Sequence, residues 1–85
     1  MASQVENAFE SIESAHDFVS LLAETVIEAK RDVEADVQKE SGTRCSQRLD
    51  VLRMTLYSLE KLELHVKRSC HILDDLRCQH TLLSR

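Results

Sequence analysis

A chain with one glycine and no proline among its 85 residues has very few ways to reverse direction. Tight turns draw on residues that tolerate positive φ or arrive with φ fixed, and Gly42 is the only residue of either kind. Three aromatic residues, Phe9, Phe18 and Tyr57, are too few to build the strand surfaces of a β-sandwich. Charged residues at 31% and apolar ones at 42% suit a helical chain rather than a disordered one. The length allows one domain, spanning residues 1–85. An all-α fold of few, long helices is what remains.

Apolar residues recur at helical spacing without interruption from Val5 to Val37. Counted in sevens, one column reads Val5, Ile12, Val19, Val26, Val33. A second, three residues on, reads Ala8, Ala15, Leu22, Ala29, Asp36. The pattern predicts helix 1 over about 4–40, opened by a capping box of Ser3 and Glu6. Ser41-Gly42-Thr43 supplies the turn, at about 41–44, with Gly42 as a left-handed cap and Thr43 opening the next helix. Helix 2, about 45–83, carries Leu49, Leu52, Leu56, Leu59, Val66, Cys70 and Leu73 at the same spacing. Glu63 and Arg77 interrupt that seam, and the neighbouring Leu62 and Leu76 are expected to turn inward in their place.

One turn between two long helices predicts an antiparallel hairpin. Facing residues of such a pair have a constant sum of residue numbers. A sum of 85 places Val33 beside Leu52, Val26 beside Leu59, Val19 beside Val66 and Ile12 beside Leu73, with the turn centred between Gly42 and Thr43. Two layers fit poorly, Leu22 with Glu63 and Ala8 with Arg77. Charge follows the same division. Residues 1–42 hold ten acids and three bases, a net of −7, and residues 43–85 hold five acids and eight bases, a net of +3. An acidic helix against a basic one favours this pairing over like with like.

Few residues invite chemistry. Glu13 and His16 have the Glu-x-x-His spacing with which helices in di-iron bundles present two ligands to a metal, but there is one copy. His71, Asp75 and Cys78 share a helix face and are all competent zinc ligands. No Cys-x-x-Cys pair accompanies them, so these five residues stand as metal candidates and the expected metal and cofactor content is none. Cys70 and His71 point about 100° apart on a helix and cannot form a nucleophile–base pair. No catalytic motif or phosphate-binding glycine loop is present, and no enzymatic activity or small-molecule substrate is expected. The basic residues of helix 2 do not converge, and the acidic helix 1 would repel anionic lipid, so neither nucleic acid nor membrane is an expected partner. No apolar run approaches the ~20 residues of a membrane span. No signal peptide is read, and three cysteines make no disulfide framework, so the expected compartment is the cytoplasm.

Two helices enclose no core, and apolar side chains spread beyond the seam. Phe9, Phe18, Val51, Met54, Leu62, Leu64, Ile72 and Leu76 are the expected interface residues of a homodimeric four-helix bundle with helix 2 central, or of a complex with another helical protein. The function expected is a non-enzymatic helical interaction or scaffold module acting through homo- or hetero-oligomerisation. The alternatives are a metal-binding bundle, of zinc or di-iron type, built from two or more chains, and a small subunit or regulator of a larger secretion or signalling complex.

Overall fold

The computed structural model describes residues 4–42 and 46–83. Helix α1 spans Gln4–Glu40 and α2 spans Ser46–Leu83, and the two pack against each other as the expected antiparallel hairpin. Neither contains a residue that breaks the helical ladder, so 37 and 38 residues run on as single rods of about 56 Å each. The Cα envelope measures 65 × 18 × 14 Å, a flat slab two helices wide and one deep. No described helix is long and apolar enough to cross a membrane.

Local chemistry shapes the helix ends. Glu6 lies in the first turn of α1 and Lys39 in the last, each opposing the partial charge of that terminus. The left-handed cap expected at Gly42 does not form, since no described glycine has positive φ. Hydrogen bonding of helical type instead continues one residue past α1. The Ser41 amide donates to the Val37 carbonyl at 3.0 Å, and the Ser41 hydroxyl donates to the same oxygen at 2.7 Å. The caps expected from Ser3 and Thr43 lie outside the described residues.

The register differs from the expected one. Phe9 stacks on His80 with ring centroids 4.3 Å apart, a pair whose residue numbers add to 89 rather than 85. Glu13 with Arg77 and His16 with Asp74 each add to 90. In this register Val26 stands level with Glu63, and Val33 with Leu56.

The seam of α1 is rotated as well. Ile12, Val19, Val26 and Val33 line it as expected, but the alternate positions are Phe9, His16, Ala23, Lys30 and Val37. Ala8, Ala15, Leu22 and Asp36, expected there, are exposed, and of that column Ala29 alone is half-buried. Cross-helix polar contacts explain the rotation: His16 and Lys30 enter the seam because Asp74 and Glu63 meet them. For the same reason Glu63 holds its seam position, its side chain 13% exposed, and Leu62 stays outside. Leu76, expected inward, is half-buried beside the exposed Arg77, at the border between the seam and the side of α2 that carries Leu62. Even so, among the described residues only Val26 and Val66, near the middle of each rod, are buried.

Candidate functional site

Each seam position on either helix is followed by one residue about 100° clockwise and preceded by one about 100° anticlockwise. In an antiparallel pair, equal offsets from the seam lie on the same side of the slab. The hairpin therefore has two broad faces, one made of the residues that follow seam positions and one of those that precede them.

The following-residue face is charged. On α1 it carries Glu10, Glu13, Asp17, Glu24, Arg31 and Glu34, and on α2 Asp50, Arg53, Glu60, Lys67 and Asp74. Ion pairs gather along its border with the seam. The Arg77 Nε donates to the Glu13 carboxylate at 2.9 Å, and its terminal nitrogen lies 3.5 Å from Asp74. Asp74 in turn lies 2.7 Å from the His16 Nε2, and the Arg77 terminal nitrogen lies 3.3 Å from the same ring nitrogen. The His16 Nδ1 is buried without a hydrogen-bond partner, its nearest charged neighbour being Asp17 at 3.6 Å. Nearer the middle, Lys30 reaches across to Glu63 at 3.0 Å and Lys67 reaches it from one turn along α2 at 2.9 Å. Hydrogen bonds from Lys67 and then Lys30 hold the Glu63 carboxyl below its ordinary pKa, and the bond to Glu63 raises Lys30 above its own.

This face does not assemble the metal candidates. Glu13 is engaged by Arg77, and His16 by Asp74. His71, Asp75 and Cys78 are exposed along one flank of α2. No group of three or more His, Cys, Asp or Glu able to hold a metal forms among the described residues. Cys70 and Cys78 are free thiols, the first half-buried in the seam. The surface grooves, one beside Val51 and Leu52 and two near His80, are open to solvent.

The preceding-residue face is of another kind. On α1 it runs through Ala8, Ser11, Ala15, Phe18, Leu22, Thr25 and Ala29 without a charge. On α2 every such position from Val51 to Leu83 is free of Asp, Glu, Lys and Arg. Five of the eight expected interface residues belong here: Phe18, Val51, Leu62, Ile72 and Leu76. Phe9 lies in the seam against His80, Leu64 on the charged face, and Met54 on the outer back of α2. Four polar members of the uncharged face are satisfied internally. The hydroxyls of Ser11, Thr25, Thr55 and Ser69 each donate to the carbonyl four residues back, at 2.9–3.3 Å.

Sequence reasoning found Phe18, Val51, Leu62, Ile72 and Leu76 of this face but placed Leu22 and the small Ala8, Ala15 and Ala29 inside the seam. The missed signal was that the charges of both helices avoid one and the same side. No family model, curated protein or solved structure matches the chain, so the faces of the hairpin are the features from which its role is argued.

Proposed function

We propose that the protein is a non-enzymatic helical interaction module that works by completing its core with further helices. One observation carries this reading. Among the described residues two are buried, while eleven large apolar residues on the two helices remain 37–69% exposed. A soluble chain gains most of its stability by removing such surface from water, at about 25 cal/mol per Å². Six of the eleven, Phe18, Leu22, Val51, Leu62, Ile72 and Leu83, share the uncharged face, and large exposed apolar patches mark binding surfaces.

Thermal unfolding followed by circular dichroism over a hundredfold range of protein concentration tests the reading. A module whose core is completed by other helices melts at higher temperature as its concentration rises, if copies complete one another. If a different protein completes it, the isolated chain is a loose monomer that binds an apolar dye and melts with little cooperativity. A monomer that melts sharply, at a temperature independent of concentration and without binding dye, would overturn the proposal.

A further inference from the structure

Resting on that reading, we infer that the occupant of the uncharged face is a second copy of this chain, related by a two-fold axis parallel to the helices, so that both turns lie at the same end. Helix α1 of each copy then lies antiparallel on α2 of the other, and the four rods close into a bundle.

The argument begins with what stands level across the face. In the register fixed by Phe9 with His80 and by Glu13 with Arg77, each α1 position of the face has an α2 position at the same height. Ala8 is level with Leu83, Ala15 with Leu76, and Ala29 with Leu62. Leu22 is level with Ser69, reversing the sizes, and Phe18 stands level with Ile72. Polar meets polar in the two remaining layers, Ser11 with Gln79 and Thr25 with His65. Four of the seven layers therefore pair a small side chain with a large one. An axis parallel to the helices seats α1 on α2 of the partner at these same heights, so each small residue faces a large one and the layers fill evenly. An axis across the helices would set α1 on α1 and α2 on α2. The alanine-rich strip of α1 would then lie on its own copy and the bulkier strip of α2 on its own, and the level pairing of Ala15 with Leu76 and of Ala29 with Leu62 would be lost.

Electrostatics and size agree. A face without formal charge can be covered by its own copy with no like charges brought together, whereas covering the charged face in the same way would take its charges out of water and set Asp17 level with Asp74. The hydroxyls of Ser11, Thr25, Thr55 and Ser69 already donate within their own helix, so covering these four strands no donor. From Ala8 to Ala29 the face is about 32 Å long. With a slab width of 18 Å it projects on the order of 600 Å², and its corrugated accessible surface approaches the ~800 Å² each partner gives to a standard interface. Asp32 and Asp36, the next two α1 positions, mark where the uncharged strip ends on the turn side.

Pulsed electron-spin distance measurement tests the arrangement on the full chain. The label goes on Gln38→Cys, exposed and away from the face, in a background of Cys45→Ser, Cys70→Ala and Cys78→Ser. Circular dichroism first verifies that the labelled chain keeps its helicity. Turns at the same end place the two labels about 30 Å apart or less, and turns at opposite ends place them about 50 Å apart or more. A particle of twice 9.7 kDa with the short distance supports the inference. A dimer with the long distance, a larger closed assembly, or a monomer at 100 µM overturns it. The melting and dye experiments above then show separately whether the broader module reading stands.

Discussion

The seam between α1 and α2 and the uncharged face beside it follow the same heptad spacing one residue apart, yet they are made of opposite materials. The seam admits His16, Lys30, Glu63 and Arg77 and meets them with partners across the hairpin or along it. The outer face, from Ala8 to Ala29 and from Val51 to Leu83, holds no acidic residue and neither lysine nor arginine. Apolar residues and small hydroxyls make up most of it, although it lies in water. The contrast teaches a division of labour. Charges inside the hairpin set register, because a slip of one helix against the other separates Lys30 from Glu63 and His16 from Asp74. On the function proposed above, apolar surface outside recruits what a two-helix slab lacks, a second layer to pack against.

Substituting the most buried residue is the sharpest way to break the comparison. Val26→Asp puts a carboxylate at a position 5% exposed and level with Glu63. It should cost several kcal/mol, about 3 or more, in urea unfolding. Glu28→Ala, exposed two residues away, should change stability by less than about 0.5 kcal/mol. Similar midpoints for the two would show that Val26 is not in the seam.

The pH profile examines the ion pairs. Because the Glu63 pKa is lowered in the fold, its contribution is present above the ordinary glutamate value and lost as pH falls through the lower, folded one. Lys30, raised in the fold, contributes below its ordinary value and is lost as pH rises through the higher one. Melting temperature should therefore fall on the acid side below about pH 4.5, and Glu63→Gln should shrink that fall. An unchanged acid limb in the variant would assign the loss to other carboxylates.

Replacing the pair by hydrocarbon should do less. Lys30→Leu with Glu63→Leu makes the seam as apolar as the outer face, and the melting temperature should stay level or rise. A marked drop would mean that the pair contributes net stability rather than register. Smallest of all, Arg48→Ala removes an exposed partner of Glu40 near the turn and should shift stability by less than about 0.5 kcal/mol in the same urea titration.

The hairpin was legible because the absence of proline and the single glycine leave two long rods and one turn. Ile12, Val19, Val26 and Val33 could be placed in the seam because they are β-branched and regular. The companion column could not. Phe9, His16, Ala23, Lys30 and Val37 are mixed in polarity, while Ala8, Ala15, Leu22 and Ala29 look like a core, so counting apolar residues selects the wrong stripe. What decides is that Lys30 and His16 find acids 33 and 58 positions away, and spacing along one helix carries no trace of that. The register error followed from the same choice. Leu62 was expected inward because Glu63 had no visible partner. The two-faced character of the slab was present in the sequence all along, but it becomes readable only once the seam is fixed.

Leu62 and Leu64 allow the central claim to be tested with one substitution made twice. They lie two residues apart on α2 and are 45% and 51% exposed, the first on the uncharged face and the second on the charged one. Sedimentation equilibrium of Leu62→Glu and Leu64→Glu, beside the unaltered chain, is the most direct measurement. If the uncharged face joins two copies, the unaltered chain and Leu64→Glu sediment at twice 9.7 kDa, and Leu62→Glu sediments at 9.7 kDa under the same conditions. Equal masses for the two variants, or loss of the dimer in Leu64→Glu alone, would contradict it.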